Sequence, residues 1–82
     1  MIKADGFDQA IIGFTDSWSG DSRPHRLIYS GERILEILMR DGMSYQDAIE
    51  FFEFNVAGAY VGEETPIFVW PLTEEMNDDI YE

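Results

Sequence analysis

Apolar residues occur in short runs that are separated by polar segments rich in Gly, Ser, Asp and Pro. Three of these runs, at residues 10–14, 26–29 and 67–70, have the length and composition of buried strands. The last of them is apolar enough to be covered on both faces. Residues 15–24 between the first two runs have the composition of a connecting loop. The chain therefore predicts three strands, two before and one after a helical region.

The first helix is predicted after Ser30, whose hydroxyl can accept a hydrogen bond from a free amide of the first turn. Glu32 in that turn is favourable against the positive end of the helix dipole. About ten residues follow in which apolar side chains dominate. Gly42 is available for the left-handed position after the helix, and Met43 for the hydrophobic contact that accompanies it.

A second helix is predicted after Ser44, which has Asp47 at capping-box spacing. At 100° per residue, six residues fall on one face and form its predicted core side: Tyr45, Ala48, Ile49, Phe52, Val56 and Ala59. A second apolar stripe lies on the opposite side and consists of Phe51, Phe54, Gly58 and Val61. Either this stripe is covered within the monomer, or it meets another chain.

The order of elements predicts a small α+β domain, a two-layer sandwich with ββααβ order and two helices on one face of a three-stranded sheet. We expect the strand order 2-1-3, with the wholly apolar first strand in the centre and the third strand parallel to the first. A single domain should span residues 1–82, with its core at about 8–71. The acidic segment 72–82 is predicted as either one short helix capped by Thr73 or a frayed tail.

Composition narrows the functional classes. The 82 residues include no cysteine, which excludes disulfides, a thiol nucleophile and cysteine-ligated zinc or iron–sulfur sites. A hydrophobic fraction of 45% is that of a folded domain. No apolar stretch approaches the length of a membrane span, and residues 1–10 do not resemble a signal peptide. We expect a soluble, cytoplasmic protein.

The formal net charge of −12 is divided unevenly. Residues 1–40 carry five basic and six acidic residues, whereas residues 41–82 carry eleven acidic residues and no basic one. Such a charge repels nucleic acid and anionic lipid, and it attracts a basic protein surface. The acidity can serve solubility alone. Because residues 41–82 contain no Lys or Arg, their acidity can also have a functional role.

Acidic residues of the second helix are the candidates for that role. Asp47, Glu50 and Glu53 are spaced by three, so they rise about 4.5 Å per step along the helix. Glu63 and Glu64 would extend the array if they lie on the same side. Carboxylates at this spacing can imitate the phosphates of a nucleic-acid strand, which recur every ~3.4 Å. Trp18, in the polar loop, is a candidate anchor for a protein interface.

The segment EFFEFNVAGAYVGE at residues 50–63 resembles small uncharacterised proteins of tailed bacteriophages and prophages. The resemblance extends over residues 29–68 and includes the RDGM segment at 40–43 and the TPIF segment at 65–68. It implies a phage origin and action in the host cytoplasm. It implies no activity and no functional residue.

Candidate catalytic and metal-binding residues are sparse. His25 is the only histidine, and a Ser-His-acid triad would need one of Ser17, Ser19, Ser22, Ser30 or Ser44, none of which has the sequence of a nucleophile elbow. The segment 16–21 resembles a calcium loop only superficially, since the alternating ligands and the terminal glutamate of an EF-hand are missing. We expect no enzymatic activity, no cofactor and no metal site.

The leading expectation is therefore a non-enzymatic phage protein that binds and blocks a basic, nucleic-acid-binding host protein. Its partner-binding residues would be Asp47, Glu50, Glu53, Glu63, Glu64 and Trp18. Direct binding to nucleic acid or to a membrane is not expected. The alternative is a homo-oligomeric structural or adaptor protein, for example a homodimer, whose interface would be the stripe of Phe51, Phe54, Gly58 and Val61.

Overall fold

The computed structural model describes residues 2–16, 25–58, 62 and 64–73. These residues form a small α+β domain with a three-stranded mixed sheet and two helices, as the sequence predicts. In chain order the elements are a 3₁₀ turn (Asp8–Ala10), β1 (Ile11–Asp16), β2 (His25–Ser30), α1 (Gly31–Arg40), α2 (Tyr45–Phe51), a π-helical segment (Phe52–Ala57) and β3 (Ile67–Val69).

The strand order is β1-β2-β3, with β2 in the centre, so the predicted order 2-1-3 is wrong. β1 is antiparallel to β2, in a register that pairs Phe14 with Leu27 and has an irregularity between Ile11 and Gly13. β3 is parallel to β2 and pairs Ile67 with Ile28. The third strand is therefore antiparallel to the first, and not parallel to it as predicted.

The burial pattern of β1 is that of a strand at the edge of the sheet. Its residues alternate between half-buried and exposed, and the large side chains of Ile12 and Phe14 are 50% and 58% exposed. β2 instead contains Tyr29, which is completely buried. The continuous apolar run predicted a buried strand at the centre of the sheet, but only part of that run packs against the core.

The connection between β2 and β3 explains the parallel pairing. α1 begins directly after β2, and residues 58–66 separate the π-helical segment from β3. Nine residues can span about 30 Å when extended, which exceeds the ~20 Å length of a six-residue strand. The chain can therefore return to the starting end of β2 before β3 begins. β3 then runs beside β2 as the second parallel strand of a crossover.

Local signals place the ends of α1 where the sequence predicts them. The Ser30 hydroxyl accepts a hydrogen bond from the Arg33 amide at 3.3 Å. At the other end Gly42 has a φ of +114°, its amide donates to the Met39 carbonyl at 3.0 Å, and the Met43 amide donates to the Leu38 carbonyl at 3.2 Å. This is the Schellman arrangement, and Met43 packs against the core as predicted.

The second helix begins after Ser44, whose hydroxyl accepts from the Asp47 amide at 3.1 Å. From Phe52 onward the backbone hydrogen bonds span five residues instead of four, a winding that sequence periodicity did not indicate. Ala48 and Phe52 are buried, and Ile49 and Val56 pack against the core. Tyr45, predicted on the core side, is exposed, and Ala59 lies outside the described residues.

The core lies between the sheet and the helices and extends into the N-terminal segment. Phe7 and Ala10 are buried there, so the core begins slightly before the predicted residue 8. The buried Tyr29 hydroxyl accepts a hydrogen bond from the Ala4 amide at 2.8 Å. Lys3 forms an ion pair with Asp8 at 3.0 Å, which raises the pKa of Lys3 above its ordinary value. These contacts hold residues 3–10 against the end of the sheet.

Across the described residues, no helix combines the length and the apolar character that crossing a membrane would require. Of the predicted C-terminal segment 72–82, only Leu72 and Thr73 belong to this part of the chain.

Candidate functional site

The predicted acidic array is exposed on the second helix. Asp47 and Glu50 lie on α2 and Glu53 on the π-helical segment, and all three side chains are exposed. None of the three forms an ion pair with a basic side chain in the described part of the chain. Glu64 is also exposed, whereas Glu63 lies outside the described residues.

The acids fan out across the helix surface and do not form one straight row. Each three-residue step on an α-helix falls 60° short of a full turn. The π-helical winding places more residues in each turn and increases this displacement at Glu53. Glu53 accordingly lies beside Tyr45 and Trp70, at the boundary with α1. The array thus divides into an outward pair, Asp47 and Glu50, and a third acid that faces a groove.

The residues of the predicted oligomer stripe differ in how far they are exposed. Phe54 is 81% exposed, the highest value for any large apolar side chain in the described residues. Phe51 is only 36% exposed, because it lines a cavity of about 270 Å³ against the N-terminal segment. Gly58 is exposed, and Val61 lies outside the described residues. Phe54 is therefore the principal exposed apolar group of this stripe.

Trp18, the predicted interface anchor, lies outside the described residues. Trp70 provides a partly exposed tryptophan, at 46%, directly after β3. Its ring packs edge-to-face on Phe52, with 5.4 Å between ring centroids. The ring also lies against the backbone of Gly31, so closely that a Cβ atom at residue 31 would overlap it. Two elements thus fix the position of Trp70.

Trp70 lies in an apolar groove between α1, α2 and residues 70–73. Two adjoining cavities of about 490 Å³ and 290 Å³ share Leu35, Tyr45 and Trp70. We call this feature the Trp70 groove, and its apolar lining is formed by Leu35, Met39, Tyr45, Ile49, Phe52, Trp70, Pro71 and Leu72. Three glutamates stand at its rim, Glu32 and Glu36 on α1 and Glu53 on the opposite side.

The charged side chains of α1 line two cavities, and Glu36 lines both of them. Glu32 and Glu36 border the Trp70 groove. Arg33 and Arg40 line the second cavity with Glu36, beside the 3₁₀ turn, where the Arg40 guanidinium donates to Gln9 Oε1 at 3.4 Å. The basic residues of α1 therefore do not border the groove. Within the described residues, the charged side chains at its rim are all acidic.

Sequence reasoning missed this groove for identifiable reasons. Trp70 was predicted inside the third strand with both faces covered, but the strand ends at Val69 and Trp70 lies beyond it. Glu32 was interpreted only as a favourable charge in the first turn. The signal that could have found the rim is the spacing of four between Glu32 and Glu36, which places both on one side of α1.

The candidate catalytic residues do not assemble into a triad within the described residues. His25 Nε2 lies 3.4 Å from Asp16 Oδ1, at the end of the β1–β2 pair. The hydroxyls of Ser30 and Ser44 accept hydrogen bonds as helix N-caps. Ser30 is also five residues along β2 from His25, about 16 Å away. Ser17, Ser19 and Ser22 lie outside the described residues.

Within the same described residues, no three His, Asp or Glu side chains converge to hold a metal ion. Of the calcium-loop candidate 16–21, only Asp16 falls within them.

Comparison of this chain with protein-family models, with curated proteins and with solved structures found no match in any of the three.

Proposed function

We propose that this chain is a non-enzymatic binding protein whose acidic second helix occupies the nucleic-acid-binding surface of a basic partner. One observation carries the proposal. Asp47, Glu50 and Glu53 are all exposed on a helix in the half of the chain that has eleven acidic and no basic residues. Carboxylates without a basic neighbour in the sequence keep their charge available for a partner.

The partner is expected to be a bacterial protein in the cytoplasm, because residues 29–68 resemble proteins of tailed phages. Blocking its nucleic-acid surface would be the biological effect. Glu63, Glu64 and Trp18 are proposed as further contacts. Such binding should weaken as salt is added, since screening shortens the reach of surface charges to ~3 Å at 1 M.

Charge reversal on the outward side of the helix tests this proposal. Asp47→Lys/Glu50→Lys changes the net charge from −12 to −8 and leaves the Trp70 groove intact. The matched control, Asp5→Lys/Asp41→Lys, makes the same change of net charge at exposed positions elsewhere. Immobilised protein is incubated with bacterial lysate at about 0.05 M and 0.5 M NaCl, and bound proteins are challenged with duplex DNA.

The wild type and the control variant should retain basic nucleic-acid-binding proteins at low salt and release them to DNA or to high salt. The Asp47→Lys/Glu50→Lys variant should retain none of them, while its circular dichroism shows an intact fold. Equal retention by both double variants would mean that net charge alone is responsible. That result would contradict the proposed contact surface.

The exposure of Phe54 favours a second candidate function, assembly of identical chains through the Phe51, Phe54, Gly58 and Val61 stripe. An apolar side chain that is 81% exposed is a natural interface group. Light scattering at micromolar concentration should then give a mass above that of the 9.5 kDa chain. Phe54→Ser should restore the monomer, and Ile12→Ser, at another exposed apolar residue, should not. A monomeric wild type would remove this candidate.

A further inference from the structure

The Trp70 groove is a second surface with the features of a binding site. It is distinct from the outward acids Asp47 and Glu50. Its volume of about 490 Å³ on the α1 side lies within the range of ligand clefts. The lining is largely apolar, and the half-exposed Trp70 at its centre belongs to the residue type most enriched among binding hot spots.

The dimensions of the groove match a helix of a partner protein. Its α1 wall extends from Glu32 to Met39, which are seven positions apart along the helix, a rise of about 10.5 Å. That distance equals the span of apolar side chains at positions i, i+4 and i+7 of a docked helix. Glu32 and Glu36 are about 6 Å apart along α1, which is also the rise between two side chains separated by four residues on such a helix.

The charge around the groove identifies the chemistry of the occupant. The charged side chains that line the groove within the described residues are three glutamates, whereas Arg33 and Arg40 do not line it. We propose that the Trp70 groove binds an amphipathic helix of a partner protein, in which an apolar stripe is flanked by Lys or Arg residues. The apolar stripe covers Trp70, Leu72 and Met39, and the basic residues pair with the glutamate rim.

Two other occupants are disfavoured by charge. A second copy of this chain would bring a further net charge of −12 to an acidic rim. The chain's own residues 74–82 contain five acidic residues and no basic one, so they would place carboxylates beside Glu32, Glu36 or Glu53. A basic helix is the occupant for which both the apolar lining and the rim are complementary.

A designed peptide provides a direct probe. The peptide has 18 residues, leucines at positions i, i+3, i+4 and i+7, and lysines elsewhere. A shuffled peptide of identical composition lacks the apolar stripe, and a Leu/Glu peptide has the opposite charge. Trp18→Phe leaves Trp70 as the only tryptophan, so its fluorescence reports on the groove. We expect the Leu/Lys peptide alone to bind at a 1:1 ratio and to shift Trp70 emission to shorter wavelength.

Substitutions in this background test the contacts. Glu32→Gln/Glu36→Gln should weaken binding of the Leu/Lys peptide about tenfold, and Leu72→Ser should weaken it by a similar factor. Asp47→Asn/Glu50→Asn removes the same charge outside the groove and should leave the affinity within about twofold. Leu72 is exposed, so its replacement leaves the core intact.

Three outcomes would overturn the inference. The shuffled peptide could bind equally well, or Asp47→Asn/Glu50→Asn could weaken binding as much as Glu32→Gln/Glu36→Gln; either result means unspecific charge attraction. Trp70 emission could stay unchanged on binding, which would mean that the groove is already covered by residues 74–82 or by a second copy. The inference does not depend on Asp47 and Glu50, so capture from lysate and peptide binding can fail independently.

Discussion

The absence of a side chain at Gly31 determines where the Trp70 ring can lie. The Trp70 ring occupies the space where a Cβ atom of residue 31 would lie, and it packs edge-to-face on Phe52 with 5.4 Å between ring centroids. Phe52 in turn contacts Phe68 of β3 edge-to-face at 5.1 Å. Each such aromatic pair contributes about 0.5–1.5 kcal/mol beyond its buried area. The missing side chain at the start of α1 therefore makes room for a series of packed aromatic rings that extends to the sheet.

We predict that Gly31→Ala lowers the free energy of unfolding by about 1–2 kcal/mol, because the new methyl group displaces the Trp70 ring from Phe52. In a Trp70→Ala background the same substitution should raise stability by up to about 1 kcal/mol, because alanine favours the helix. Urea unfolding of the four proteins measures this coupling. An identical effect of Gly31→Ala in both backgrounds would contradict the placement of Trp70.

At the scale of single elements, the helix ends could be predicted from the sequence and the strand order could not. Caps depend on residues only three to six positions apart, so Ser30, Ser44 and Gly42 carried the necessary information themselves. Strand pairing joins residues that are distant in the chain, such as Ile28 and Ile67. The apolar composition of β1 did not indicate that Ile12 and Phe14 would be exposed at an edge of the sheet.

Of the candidate site, too, one part could be predicted from the sequence and another could not. Exposure of Asp47 and Glu50 followed from helical periodicity alone. The Trp70 groove requires α1, α2 and the chain after β3 to meet, which no local pattern indicates. The π-helical winding that displaces Glu53 was also hidden, because its sequence is compatible with an ordinary α-helix.

Two glycines provide a matched test of the element ends. Gly42 has a φ of +114°, whereas Gly13 in β1 has no such strain and open space where a Cβ atom would lie. Gly42→Ala should therefore lower the free energy of unfolding by about 1–2 kcal/mol. Gly13→Ala should be neutral or raise it by up to about 1 kcal/mol. Denaturant midpoints compare the two, and equal losses would argue against the Schellman end of α1.

At the scale of the whole molecule, one charge distribution has two opposed consequences. The −12 net charge favours association with a basic partner, and it also destabilises the compact state by self-repulsion. Helix α1 illustrates the balance, since Arg33 and Arg40 lie beside Glu36 near the 3₁₀ turn, while neither arginine lines the groove that Glu32 and Glu36 border. Stability and binding should therefore respond to salt in opposite directions.

We predict that the thermal midpoint rises by about 4–8 °C between 0.01 M and 0.5 M NaCl, which corresponds to about 1 kcal/mol for a domain of this size. At 0.01 M the Debye length is about 30 Å, larger than the 14.3 Å radius of gyration, so every acid repels every other. At 0.5 M the screening length falls to a few ångströms and most of this repulsion is lost. Calorimetry measures the shift, and Asp47→Lys/Glu50→Lys should show a smaller one because it carries four fewer net negative charges. A thermal midpoint that is independent of salt in both proteins would mean that the acidic side chains do not repel one another appreciably. The electrostatic basis for binding a basic partner would then also be lost.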